Sequence, residues 1–143
     1  MHTIRQILGD KGSNIWSVSP DDTVYEAITL MASKGIGALA VLRDGQLYGM
    51  VSERDYARKV VLAGRASRET KVEEICSSPV ITVSPQAMAE EGLALMTRKR
   101  IRHLPVVERG ELLGMISIGD LVNAVIGDQQ KLIEQLERYV AGY

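Results

Sequence analysis

The stretch Gly49-Met50-Val51-Ser52-Glu53-Arg54-Asp55 returns 65 residues later as Gly114-Met115-Ile116-Ser117-Ile118-Gly119-Asp120. The same shift aligns Ser17–Val61 with Thr82–Ile126 without a gap, and 17 of those 45 positions are identical. Pro20/Pro85, Met31/Met96, Gly45/Gly110 and Val60/Val125 are among them. Self-similarity at a fixed offset on this scale marks a duplicated unit rather than chance. A weaker echo precedes each copy, where Ile4 and Ile7 are spaced like Val72 and Ile75.

Each copy reads as βαββα. Ile15–Val18 and Val80–Val83 are short apolar runs closed by Ser-Pro, hence strand then turn. Val24, Ile28 and Met31, and then Met88, Leu95 and Met96, recur at helical spacing. Asp21 or Asp22 is the expected N-cap of the first helix. Ala38–Leu42 and Leu104–Val107 predict buried strands. Asp44-Gly45 and Arg109-Gly110 predict tight hairpin turns into Leu47–Ser52 and Leu112–Ser117. A second helix begins near Ser52 or Ser117 and runs through Tyr56, Val60 and Val61, or Leu121, Val122 and Val125. The fold class is therefore mixed α/β (α+β), two pseudo-symmetric repeats. A unit of ~60 residues is marginal alone, so the two are expected to pack sheet to sheet.

The expected organisation is residues 1–65 for repeat 1 with a short lead helix and a Gly9–Gly12 loop, then 66–127 for repeat 2. Residues 128–143 then form an amphipathic helix, with Leu132, Ile133, Leu136, Tyr139 and Val140 as its stripe. That stripe suits a homodimer interface.

Composition narrows the function. The hydrophobic fraction of 45% is globular, and a net charge of −1 gives no field toward nucleic acid or anionic membrane. No apolar run approaches the ~20 residues of a membrane span, and the start of the chain lacks the pattern of a signal peptide. The expected location is cytoplasmic. A lone Cys76 reads as an inert thiol.

The two G-h-h-[ST]-x-x-D stretches, with Ile101-Arg102-His103-Leu104-Pro105-Val106-Val107 as a matching second strand, resemble CBS domains. Two in tandem resemble a Bateman module of the small stand-alone bacterial type. This resemblance implies binding of AMP, ADP, ATP or NAD(H), and homodimerisation. A carboxylate in the first turn of a helix is favoured by the macrodipole and accepts from both ribose hydroxyls. The first-turn N–H groups favour an anion. Ser52 with Asp55, and Ser117 with Asp120, equally fit an N-cap with an acidic third residue. Carried over by resemblance, one site would take Ser117 and Asp120 for the ribose and Ile15, Trp16, Ile36, Gly37 and Ala38 for the base. The other would take Ser52 and Asp55, with Val80, Ile81, Ile101, Arg102 and His103. Arg54, Arg102 and His103 are candidates for phosphate, although a solvated cation or a structural histidine would look the same. Because Gly37-Ala38 in one copy becomes Arg102-His103 in the other, the two sites are expected to differ.

Three other readings compete. One is a structural homodimerisation module with vestigial clefts. Another is an enzyme, for which the sequence offers no Cys/His metal cluster, no phosphate-binding glycine loop and only His2 and His103 as histidines. The last is nucleic-acid binding through Arg98–His103. The expectation is a regulatory sensor with no catalytic residue, no metal and no catalytic cofactor, and a downstream protein partner that the sequence does not name.

Overall fold

The computed structural model describes residues 1–12 and 14–142. The elements are α1 (Ile4–Lys11), β1 (Ser17–Val18), α2 (Val24–Lys34), β2 (Ala38–Arg43), β3 (Gln46–Ser52), α3 (Glu53–Tyr56), α4 (Ala89–Lys99), β4 (His103–Glu108), β5 (Glu111–Ser117) and α5 (Ile118–Val140). A π-helical turn at Ala57–Val61 extends α3, and 3₁₀ turns occupy Ser67–Glu69 and Val72–Glu74.

The chain divides into two compact units. One is Asn14–Ile81; the other joins the start of the chain, including α1, to everything from Thr82 onward. The grouping differs from the sequence expectation, which placed the lead helix with repeat 1 and residues 66–81 with repeat 2. Each lead segment is clipped to its unit by one antiparallel bridge, Thr3↔Met88 or Thr23↔Lys71. These bridges occupy equivalent places: Ile4 N–H donates to Ala87 and Val72 N–H to Asp22, both at 2.8 Å.

In the Asn14–Ile81 unit the strand order is β1-β2-β3, with β1 parallel and β3 antiparallel to β2. Its core gathers Val24, Ala27 and Met31 from α2, Leu39 and Val41 from β2, and Val72 and Ile75 from the lead segment. β2 is buried along Ala38–Val41 because it is the middle strand, covered on both faces. In the other unit β4 and β5 form the same hairpin, with register shifts at Val41/Leu42 and Val106/Val107 in matching places. Ile4, Met96, Leu104, Ile116 and Leu121 are fully buried there. Both hairpin turns hold two residues at positive φ, Asp44 52° and Gly45 77°, Arg109 52° and Gly110 77°, which is the backbone that a two-residue turn of matching twist requires.

Four expectations change. Val80–Val83 is not a strand; only Val83 bridges Val106, in parallel. Pro105, standing where Ala40 stands in the first copy, has no N–H with which to extend the ladder back toward Ile81. The N-cap of α2 is Thr23, which accepts from Glu26 N–H at 3.1 Å, while Asp22 accepts from Ser19 N–H at 2.8 Å. Gly9 lies inside α1, and Gly12 caps its end. Gly127 and Asp128 do not interrupt α5, which is one 23-residue helix. Glycine in a helix costs only about 1 kcal/mol against alanine, and Asp128 is held by His2, Nδ1 to Oδ1 2.7 Å. Of the expected 128–143 helix, Tyr143 falls outside the described residues.

Candidate functional site

Each repeat places its Ser-x-x-Asp where a strand runs directly into a helix. Ser52 ends β3 in extended conformation, and its hydroxyl accepts from Asp55 N–H at 3.2 Å. Asp55 Oδ2 accepts in return from Ser52 N–H at 2.9 Å and Ser52 Oγ–H at 3.0 Å. Ser117 and Asp120 repeat the exchange at 3.2 and 2.9 Å. The capping reading of the sequence is thus realised in both copies.

The carboxylates are only partly covered, with side chains 21% exposed for Asp55 and 24% for Asp120, so they remain open to a ligand. The first-turn N–H groups are less available than the sequence suggests. Glu53 N–H is taken by Gly37 carbonyl at 3.0 Å, and Ile118 N–H by Arg102 carbonyl at 2.8 Å. These bonds and the pairs Ala38↔Ser52 and His103↔Ser117 bring Gly37 and Ala38 beside one helix mouth, Arg102 and His103 beside the other.

Each aspartate carries a lysine. Lys59, one turn on from Asp55, lies 3.3 Å from Oδ1 and donates to Ile75 carbonyl at 2.9 Å. Repeat 2 has Ala124 at the position of Lys59. There Lys11 of α1 reaches in, donating to Asp120 Oδ2 at 2.7 Å and to Met115 carbonyl at 2.9 Å. Burial alone pushes Asp120 up; the Lys11 and Ser117 bonds outweigh it and hold the carboxyl below its ordinary 3.8. Burial first, then the Lys11 charge, pushes His103 below its ordinary 6.5. Burial and the neighbouring Asp55 charge push the Cys76 thiol up, which suits an inert role.

The signature glycines act by leaving space. A Cβ on Gly49 would lie 2.7 Å from Ser77 carbonyl and 3.1 Å from Cys76 Sγ, and one on Gly114 would lie 2.8 Å from Leu8 Cδ2. Both mark where a lead segment crosses the strand. Sequence reading misses this role, and misses Lys11, because the partners are distant along the chain. Lys59, four residues from Asp55, is readable from helix periodicity.

Of the expected base contacts, Ile36 is half-buried against its unit's core. Trp16 is exposed under Lys34, Nζ 4.1 Å from the ring centre. Ile15, Val80, Ile81 and Ile101 are half-buried; Arg102 and Arg54 are exposed. Among the described residues no group of three or more His, Cys, Asp or Glu could hold a metal.

The CBS domain family model matches residues 7–62 and 72–127. The chain is a CBS-domain protein. It is similar to the mitochondrial CBS domain-containing protein CBSX3 of Arabidopsis thaliana, 38% identical over 150 residues that cover 98% of this chain and 72% of that one. A putative signal-transduction protein with CBS domains from Burkholderia ambifaria shares the fold, at TM-score 0.86 and 53% identity over 90% of this chain and 96% of that one. The CBS domain pair of protein MJ0100, solved with 5′-methylthioadenosine and S-adenosyl-L-methionine, has the same fold at TM-score 0.77 and 21% identity, covering 90% and 98%. No described helix of this CBS pair is long and apolar enough to cross a membrane.

Proposed function

We propose that the chain is a non-catalytic regulatory module that binds an adenosine-derived ligand, AMP, ADP, ATP or NAD(H), and passes its presence to a protein partner in signal transduction. One observation carries the reading: in a CBS-domain chain, a partly exposed carboxylate at a strand-to-helix junction occurs twice, each fixed by its own serine and lysine. Asp55 and Asp120 would accept the ribose hydroxyls, and the residues beside each mouth, Gly37 and Ala38 at Asp55 and Arg102 and His103 at Asp120, would meet the ligand. The MJ0100 pair, whose two ligands both contain adenosine, supports this through likeness of fold. Titration calorimetry and thermal shift with AMP, ATP and NADH test it. Micromolar to sub-millimolar binding by one of them is expected; no binding at millimolar concentration of any of them contradicts it.

A second reading, a homodimerisation module with vestigial clefts, is favoured by α5. Residues 131–140 are exposed throughout, and Leu136 is 55% and Val140 85% exposed. A helical end this short and apolar gains most of its stability by packing on something. Light scattering of Leu132→Glu/Leu136→Glu checks it: a dimer that becomes a monomer supports the role, and an unchanged mass removes it.

A further inference from the structure

The two aspartates are neutralised from different places, and the surroundings differ in net charge. At the mouth of α3, Lys59 and Arg54 are balanced by Asp55 and Glu53. At the mouth of α5, Glu53 and Arg54 are replaced by Ile118 and Gly119, while Gly37 and Ala38 are replaced by Arg102 and His103. Lys11 adds a cation there from an element outside the signature. The two lysines also use their partners differently. Asp55 has both oxygens engaged, Oδ2 by Ser52 and Oδ1 by Lys59. On Asp120, Ser117 N–H and Lys11 converge on Oδ2.

We propose that Lys11 is a specificity-determining residue of the Ser117/Asp120 site, selecting a phosphorylated adenosine ligand over the uncharged nucleoside. The proposal rests on the reading of Asp120 as a ribose acceptor. With its ammonium 2.7 Å from Oδ2, Lys11 cancels the carboxylate charge that would otherwise repel a nearby phosphate. Its flexible four-carbon stem lets the ammonium turn from the carboxylate to a phosphate oxygen when ribose hydroxyls take its place. Arg102, the next cation at that mouth, extends the same field. His103 adds no charge at neutral pH, since burial and the Lys11 charge disfavour its protonated form. At the other mouth Lys59 sits on Asp55 Oδ1 while Ser52 holds Oδ2, and Glu53 adds a further anion to the first turn of the same helix, so no excess of cation is left for a phosphate.

A plain structural tether would be the alternative role, since Lys11 also binds Met115 carbonyl and so fastens α1 to β5. The two roles separate by ligand. Calorimetry with AMP and with adenosine is run on the full chain and on Lys11→Met, Lys11→Arg and Asp120→Ala. Lys11→Met is expected to weaken AMP by about tenfold to a hundredfold, the scale of one charge-assisted hydrogen bond. Adenosine affinity should stay level or rise, because the carboxylate is released to the sugar. Lys11→Arg should recover most of the AMP affinity. Equal loss of AMP and adenosine, or no change in either, would overturn the specificity role. Failure of the unaltered chain to bind either ligand would instead remove the ribose reading, and the inference with it.

Discussion

Arg5 Nη2 lies 2.9 Å from both carboxylate oxygens of Glu108, joining α1 to the end of β4. At the equivalent places in the other unit the charges are exchanged: Glu73 of the lead segment pairs with Arg43 at the end of β2, 3.4 Å apart. The reversal gives each lead segment an address. If α1 lay on repeat 1, Arg5 would meet Arg43; if residues 67–77 lay on repeat 2, Glu73 would meet Glu108. An exposed ion pair adds little by itself, but attraction in the right pairing and repulsion in the wrong one act in the same direction.

Arg5→Glu therefore lowers the melting temperature, and Arg5→Glu/Glu108→Arg restores it. Calorimetric melts of the two single variants and the double variant check this. Additive losses in the double variant would show that the pair carries no address.

The crossing points at the glycines give a second, graded prediction. Gly49→Ala drives a methyl into backbone, Ser77 carbonyl at 2.7 Å, whereas Gly114→Ala meets only the tip of Leu8 at 2.8 Å. Overpacking costs typically about 1–3 kcal/mol, so Gly49→Ala is expected to cost about 3 kcal/mol and Gly114→Ala about 1 kcal/mol. Urea unfolding measures both. Leu8→Ala should cancel the strain of Gly114→Ala, although the cavity it leaves destabilises on its own account.

Acid stability follows from the titrating groups. Gln86 and Arg5 hold Glu108 below its ordinary 4.5, and His2 holds Asp128 below 3.8. Asp120 is lowered as well, its Lys11 and Ser117 bonds outweighing burial. A carboxyl with a depressed folded pKa contributes stability above its unfolded value and loses it as pH falls through the folded one. His103 is also depressed, from 6.5; the folded state binds its proton less readily, so its contribution is present above 6.5 and declines below. Melting temperature should thus begin to fall just below pH 6.5 and fall more steeply below pH 4.5. His103→Gln should remove the first decline and leave the second.

The repeat made much of this molecule legible from sequence. The hairpins at Asp44-Gly45 and Arg109-Gly110 and the serine caps at Ser52 and Ser117 depend on neighbours along the chain, and they stand where the sequence put them. The partnership of α1 with repeat 2 was hidden, because Arg5 and Glu108 are 103 residues apart and each fits a solvated surface. Lys11 was hidden for the same reason. The apolar residues of Val80–Val83 predict a strand by themselves, but a ladder needs a donor on the other side and Pro105 is not one. Asp128 looks like a helix boundary in sequence because its partner, His2, is 126 positions away.

Ligand stoichiometry tests the central claim most directly. Titration of the best-binding adenine nucleotide into the full chain, Asp55→Ala, Asp120→Ala and the double variant is expected to give two unequal sites. Each single variant should lose a different one and the double variant both, with the free proteins still melting cooperatively, at temperatures lowered by the loss of the capping carboxylates. Binding that keeps its stoichiometry and affinity through the double substitution would contradict the account.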